Sequence, residues 1–127
     1  MTRYNCQFSD LLGKTITAIA GKVGDDNIQI NCSDGSSYRL YHDQDCCESV
    51  LVEDICGDFA DLIGQPLLLA EESASDKNPD GVPVPEYQDS FTWTFYKLAT
   101  NKGAVTIRWY GESNGYYSES VEFVQDK

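Results

Sequence analysis

The densest run of reactive side chains lies between His42 and Ser49, and it reads His-Asp-Gln-Asp-Cys-Cys-Glu-Ser. Imidazole, thiolate and carboxylate groups are the ligands that zinc prefers, so one hypothesis is a metal site at His42, Cys46, Cys47 and Cys56. The spacing argues against it, because adjacent residues of an extended chain point in opposite directions and no Cys-x-x-Cys pair is present. The alternative is a strand-to-helix junction, where acids cap helix amides and cysteines pack as small hydrophobic groups.

The sequence offers no convincing catalytic group. His42 is the only histidine, and on an extended strand its Cα atom would lie about 13 Å from that of Cys46. The surrounding carboxylates would also raise the pKa of a thiol and blunt its reactivity. No Gly-x-Ser-x-Gly, Walker, Gly-x-Gly-x-x-Gly or EF-hand motif is present. We therefore expect a protein that is not an enzyme and needs no cofactor.

A second group of side chains suits recognition. Aromatic, amide and hydroxyl groups follow one another from Trp109 to Ser118, around a turn at Asn114-Gly115, and tyrosine and tryptophan combine a large rigid surface with a polar handle. One hypothesis is that this turn stacks a nucleotide-like ligand while an arginine binds its phosphate. The competing interpretation places Trp109 and one tyrosine in the core. The ligand site would consist of Arg39, Arg108, Trp109, Tyr110, Asn114, Tyr116 and Tyr117.

Negative charge is the strongest nonlocal feature. The chain carries 21 acidic and 9 basic residues, a formal net charge of −12, and residues 40–76 contain ten Asp or Glu but no Lys or Arg. This balance repels phosphates and anionic lipid, so we expect no direct binding of nucleic acid or membranes. It fits either a solvated face or a surface that imitates phosphate and docks on a basic groove. The expected partner-binding residues are Asp43, Asp45, Glu48, Glu53, Asp54, Asp58 and Asp61.

Length and composition indicate one soluble domain over residues 1–127. A chain of this size can bury about two thirds of its surface, and its 41% hydrophobic residues exceed what disordered chains carry. No apolar run of about 18 residues could span a bilayer, and no basic segment followed by an apolar run marks a secretory signal. We therefore expect a cytoplasmic protein whose five cysteines stay reduced. Its oligomeric state is not predicted.

Periodicity in the first third predicts an antiparallel meander. Apolar and polar residues alternate over 15–20, 27–32 and 37–42, which is the period of strands with one buried face. Gly24-Asp25-Asp26 and Asp34-Gly35 supply tight turns between them. Sequential strands joined by such short turns must be antiparallel neighbours.

The middle of the chain predicts one short helix near residues 53–63. Its apolar stripe would consist of Ile55, Phe59, Leu62 and Ile63, and Gly64 would end it. Residues 67–70 are continuously apolar, which is typical of a central strand covered on both faces. Residues 71–89 are rich in acids and proline, which predicts an exposed loop.

The second half predicts another meander, with strands over 91–98, 104–110 and 116–124. The link Asn101-Lys102-Gly103 has hairpin length. The predicted fold class is thus α+β, dominated by antiparallel sheet, with two meanders flanking one short helix.

Several segments resemble an uncharacterised family of small proteins found in bacteriophage genomes and some bacteria. The resemblance rests on Tyr41–Glu48 with its Asp-Cys-Cys-Glu motif, on Val52–Asp58, on Trp109–Gly111 and on Asn114–Ser118, and it extends from Leu12 to Phe123. It implies a phage accessory protein and brings no established activity, so it assigns no catalytic residue.

Together these observations lead to three functional hypotheses. The leading one is a non-catalytic phage accessory protein in the host cytoplasm that engages a host protein through its acidic surface, and in one version inhibits it. A nucleic-acid-binding host protein would offer the matching basic groove. The alternatives are a small-molecule binder at the aromatic turn and a metal-binding protein at His42, Cys46, Cys47 and Cys56.

Overall fold

A computed structural model describes residues 4–79, 81–82 and 90–126 of the chain. Those residues form β-strands and two short 3₁₀ turns, the latter at Phe8–Leu11 and Phe59–Leu62. The strands are β1 (Tyr4–Asn5), β2 (Ile16–Ala20), β3 (Asn27–Cys32), β4 (Ser37–Tyr41), β5 (Ser49–Cys56), β6 (Leu69–Ser75), β7 (Ser90–Thr100), β8 (Gly103–Ser113) and β9 (Glu122–Gln125).

The strands form two antiparallel sheets. The first has the order β1-β9-β4-β3-β2 and the second the order β5-β8-β7-β6. The expectation of a mainly antiparallel protein is thus confirmed. The described residues contain no α-helix, and no helix among them is long and apolar enough to cross a membrane.

The core lies between the inner faces of the two sheets. Strict alternation on β3 buries Ile28 and Ile30 completely, and on β8 it buries Val105, Ile107 and Trp109. These side chains belong to one hydrophobic cluster that draws on both sheets. Each fully buried apolar side chain of this size contributes about 1.5–3 kcal/mol, so the two-residue period of the sequence is the main source of the architecture.

The first meander has the predicted form. Strands β2, β3 and β4 are antiparallel neighbours in sequence order. The turn between β3 and β4 contains Gly35 at φ 88°, a backbone conformation that favours glycine. Asp34 stabilises this turn by accepting a hydrogen bond from the Ser36 amide at 2.9 Å.

The predicted helix near residues 53–63 is wrong. Its first half belongs to β5, and its second half is the 3₁₀ turn Phe59–Leu62. The register of β5 against β8 shifts between Val52 and Asp54, so Glu53 is the extra residue of a bulge. All four residues of the expected apolar stripe lie beyond the bulge. Their helical spacing arises because Ile55 at the end of β5 is followed directly by the 3₁₀ turn that contains Phe59 and Leu62.

Two further predictions about the middle of the chain are wrong. Residues 67–70 do not form a central strand, since β6 begins at Leu69 and lies at an edge of the second sheet. Residues 71–75, expected in the acidic loop, belong to this strand. Of the remaining loop prediction, residues 80 and 83–89 lie outside the described residues.

The last strand joins the opposite sheet from the one expected. Strands β6, β7 and β8 form the second meander, but β9 pairs with β4 and β1 in the first sheet. Phe123 of β9 stacks on Tyr38 with ring centroids 5.3 Å apart, and it meets Phe8 edge-on at 5.2 Å. The chain therefore passes between the sheets twice, once between β4 and β5 and once between β8 and β9.

Gly57, the residue after β5, offers a test of how closely the end of this strand approaches β8. Gly57 has φ 111°, and a Cβ atom there would collide with the Ala104 carbonyl oxygen, whereas Gly64 at φ 86° has open space around it. We expect Gly57→Ala to lower the free energy of unfolding by about 2 kcal/mol or more through backbone strain and collision. The matched variant Gly64→Ala carries the strain alone and should cost about 1 kcal/mol. Urea denaturation measures both, and equal losses would contradict the close approach.

Candidate functional site

Residues 42–48, here called the first crossover loop, carry the chain from β4 in the first sheet to β5 in the second. The loop closes around the carboxylate of Glu48, whose side chain is 0% exposed. That carboxylate accepts hydrogen bonds from the backbone amides of Asp45 and Cys46, both at 2.9 Å, and from Nε2 of His42 at 2.7 Å. Nε2 of Gln44 adds a fourth bond at 3.2 Å. Glu48 is therefore the organising centre of the loop.

The hydrogen bonds around Glu48 also determine its charge. Burial alone would raise the pKa of Glu48, but the bonds from the Cys46 amide, His42 and the Asp45 amide outweigh it and lower that pKa to about 2. A carboxylate with several donors around it stays ionised in an enclosed site. The loop thus contains a permanent buried negative charge at neutral pH.

His42 connects the first crossover loop to the second passage between the sheets. Its Nδ1 atom lies 2.7 Å from the carbonyl oxygen of Ser120, which precedes β9. Both ring nitrogens are therefore occupied, Nε2 by the Glu48 carboxylate and Nδ1 by the Ser120 carbonyl oxygen. The only imidazole of the chain is thus fully engaged in structure.

Cys46 and Cys47 lie exposed at the surface of the first crossover loop and are joined by a disulfide. The expectation that all five cysteines stay reduced is therefore wrong for this pair. The bond joins adjacent residues and encloses no segment of chain, so it is no scaffold disulfide. Cys6, Cys32 and Cys56 are free thiols.

The structure does not bring the four residues of the hypothetical metal site together. His42 is bonded to Glu48 and Ser120, and the two adjacent cysteines are bonded to each other. Cys56 lies at the far end of β5, about 23 Å from Ser49 by strand rise. Across residues 4–79, 81–82 and 90–126, no group of three or more His, Cys, Asp or Glu side chains is arranged to hold a metal ion.

The expected acidic surface is divided between the two ends of β5. Asp43 and Asp45 are exposed on the first crossover loop, and Asp58 is exposed beyond the other end of the strand. Asp54 lies between them and is 50% exposed. Asp61 is half-buried next to Gly103. Because β5 is an edge strand, these side chains follow one border of the molecule and do not form a single cluster.

Four of the expected partner-binding residues have partners within the fold. Asp54 lies 3.8 Å from Arg108, and Asp58 accepts a hydrogen bond from the Ala60 amide, but the strongest internal contacts are those of Glu48 and Glu53. Glu48 is buried in the first crossover loop as described. Glu53 forms a two-pronged ion pair with Arg108, in which Nη2 lies 2.7 Å and Nε 3.0 Å from its carboxylate oxygens. Both acids therefore act within the fold, and the surface available to a partner is smaller than the sequence indicates.

The residues of the aromatic alternative do not converge on one site. Trp109 is 0% exposed in the core, while Arg108 and Tyr110 alternate with it and lie on the outer face of the sheet. Arg39 belongs to the first sheet and lies 3.2 Å from Asp126. Tyr116 is 84% exposed. Asn114 accepts a hydrogen bond from the Tyr116 amide at 3.0 Å, and the rings of Tyr116 and Tyr117 meet edge-on.

Sequence reasoning missed Glu119, which organises the second passage between the sheets. Its carboxylate accepts hydrogen bonds from Thr92 at 2.8 Å and from Ser113 at 2.5 Å. Burial would raise the pKa of Glu119, but these bonds and one from Ser90 lower it. No local motif signals this role, because Thr92 lies 27 residues before the acceptor on a different strand from Ser113.

A second missed feature is a cleft of about 680 Å³ between β6, β9 and the segment that enters the first 3₁₀ turn. Its lining includes Cys6, Glu72, Lys97 and Glu122. These residues come from four separate parts of the chain, so their proximity leaves no trace in sequence spacing.

The chain belongs to a family described as a domain of unknown function (DUF7448), whose model matches residues 9–123. This match agrees with the resemblance to an uncharacterised family. No curated protein matches the chain significantly, and neither does any solved structure.

The role of Glu48 can be tested by thermal unfolding. We expect Glu48→Gln to lower the Tm by about 5 °C or more, because an amide replaces an acceptor that serves four donors. The folded-state pKa of about 2 lies below the ordinary 4.5, so the stabilisation by Glu48 is complete above pH 4.5 and is lost as the pH falls through 2. The wild type and the variant should therefore converge in stability over that acid range. Asp43→Asn, which removes an exposed neighbouring charge, should leave the Tm nearly unchanged, and an equal effect of the two variants would contradict the buried role.

The cysteines should differ in their reaction with iodoacetamide. Cys56 is exposed, whereas Cys32 is buried, and burial raises the pKa of the Cys32 thiol. Burial and the charge of Asp10 raise the pKa of Cys6. Because the thiolate is the reactive form, Cys56 should be alkylated first and Cys32 last, while Cys46 and Cys47 should react only after a reductant is added. Peptide mass spectrometry over time measures the order, which would be refuted if Cys32 reacted as fast as Cys56.

Proposed function

We propose that this chain is a non-catalytic binding protein that engages a basic protein partner through the acidic border along β5. In full, the proposal is a phage-encoded accessory protein that acts in the host cytoplasm and inhibits a host protein by occupying its nucleic-acid-binding groove. The family resemblance and the charge of −12 support this proposal.

The observation that carries the proposal is that more of the acidic side chains than of the basic ones are left without an opposite charge inside the fold. Four of the seven described cations have partners within the fold. Lys14 is paired with Asp34, Arg39 with Asp126 and Arg108 with Glu53, and Lys102 donates to the Ile63 carbonyl oxygen at 2.9 Å. Lys22, Lys77 and Lys97 are exposed, as are Asp43 and Asp45. Because the chain has 21 acids against 9 bases, the unbalanced charge at the surface is negative.

The first crossover loop favours binding because its backbone is already ordered. Glu48 holds the amides of Asp45 and Cys46 in place, so a partner that contacts Asp43 and Asp45 would order little additional chain on binding. Preorganisation of this kind raises affinity by lowering the entropic cost of association.

The two ends of the acidic border are compatible with one interface. They are separated by about 23 Å along β5, and a standard interface of about 800 Å² per partner is roughly 30 Å across. A basic groove of ordinary size could therefore contact Asp43 at one end and Asp58 at the other.

A non-catalytic role is supported by the state of the most reactive groups. His42, the only histidine, is bonded at both ring nitrogens and buried, so it is not free to act as a general base. Among the residues that the structure describes, no contact specifically favours the aromatic turn or the metal site.

Affinity capture with matched variants tests the proposal. Host-cell lysate is passed over the wild type, over Asp43→Asn/Asp45→Asn, and over the control Glu71→Gln/Asp76→Asn, which removes the same charge near the opposite edge of the sheet. A partner is expected to be retained at low salt, released by about 0.5 M NaCl, and held at least about fivefold more weakly by the first variant alone. Equal retention by both variants, or retention that salt does not affect, would contradict the proposal.

A further inference from the structure

The cleft beside β6 has the dimensions of a ligand site. Its volume of about 680 Å³ falls within the range of about 300–1,000 Å³ that small-molecule pockets occupy. Glu72 lines it from the second sheet and Glu122 from the first, while Phe8 and Phe123 supply aromatic surface. The cleft thus combines two carboxylates from different sheets with two largely buried aromatic side chains.

A buried hydroxyl group lies next to this cleft. Tyr96 is 0% exposed and pairs in register with Glu72, so the two side chains share the inner face of the sheet. The ring of Tyr96 packs against that of Phe8 with centroids 4.7 Å apart. Within the described part of the chain, no hydrogen bond of regular geometry reaches the Tyr96 hydroxyl. The hydroxyl nevertheless lies close enough to the Glu72 carboxylate to act against the rise that burial causes in the pKa of that acid, so it helps to position Glu72 at the wall of the cleft.

The electrostatics of the cleft favour a cation. Glu71, Glu72 and Glu122 line it against one base, Lys97. Burial raises the pKa of Glu72, and the negative charge of Glu122 acts in the same direction. Burial and the charges of these two acids also raise the pKa of Tyr96, so its hydroxyl stays neutral. A positive group between the carboxylates would relieve their mutual repulsion.

We propose that this cleft binds a primary ammonium group carried on an alkyl chain. An ammonium has three N–H donors. The cleft lining offers the carboxylates of Glu72 and Glu122 as acceptors, and the buried Tyr96 hydroxyl lies behind Glu72. The alkyl chain would lie on the aromatic surface of Phe8 and Phe123. A divalent metal fits less well, since the described residues provide no group of three metal-ligating side chains here.

This inference goes beyond the proposed function and does not depend on it. The cleft uses none of the exposed acids of the first crossover loop. The ammonium could belong to a free diamine or to a lysine side chain, and the two sources share the same recognition chemistry.

The experiment is an NMR titration of the ¹⁵N-labelled chain at about 150 mM NaCl, which screens nonspecific attraction. The probes are putrescine, Nα-acetyl-lysine amide and the neutral isostere 1,4-butanediol. Putrescine or the lysine derivative should cause saturable amide shifts near Glu72 and Val121, and butanediol should cause none. Tighter binding of putrescine would support a free diamine, and tighter binding of the lysine derivative would support a protein lysine. Absence of saturable shifts with both amines would overturn the proposal.

Variants separate the cleft from general charge attraction. Glu72→Gln and Tyr96→Phe should each weaken binding about tenfold, while Asp76→Asn, at a residue outside the cleft lining, should change it less than about twofold. If Tyr96→Phe loses its dispersed spectrum, Glu122→Gln provides the second test with the same expected loss. Equal weakening by Glu72→Gln and Asp76→Asn would overturn the proposal, because it would show that only net charge matters.

Discussion

The hydrogen-bonded chain from Glu48 through His42 to Ser120 is the constraint on which the arrangement of the two sheets depends. Glu48 is the last residue of the passage into the second sheet, and Ser120 lies near the end of the passage back to the first. The His42 ring therefore ties the outgoing and returning segments together. Because removing a partner from a buried charge such as the Glu48 carboxylate costs much free energy, this junction resists any arrangement that separates the two crossings.

Burial of apolar side chains and hydrogen bonding of polar ones determine different properties of this fold. Burial of residues such as Ile28 and Ile107 drives the inner faces together, but hydrophobic attraction is non-directional and does not select one relative position of the sheets. The carboxylates of Glu48 and Glu119 do select one, since each needs several donors from defined places. Both glutamates lie in the segments that connect the two sheets. Strand pairing does not fix the position of the chain in these segments, so the hydrogen bonds of the glutamates do.

The sequence was sufficient to predict those strands in which apolar and polar residues alternate without interruption. The alternation around Ile28 and Ile30 correctly predicts a strand with one buried face, and the glycine turns correctly predict its neighbours. β5 was hidden because the bulge at Glu53 shifts the register. The sheet joined by β9 was not predictable, since a period of two residues describes one strand and not its partner. Glu48 was assigned to the surface because charge does not reveal burial, which here depends on donors from His42 and from the loop backbone.

Glu72 also has a bearing on how molecules of this protein behave toward one another. It faces inward on β6, an outermost strand of the second sheet, and a charge in that position discourages a second chain from adding its own strand to the exposed edge. The same side chain therefore lines the cleft and opposes association of β6 with a strand of another molecule. Replacement of Glu72 by an apolar residue, for example to stabilise the sheet, would also remove this protection against edge-to-edge polymerisation.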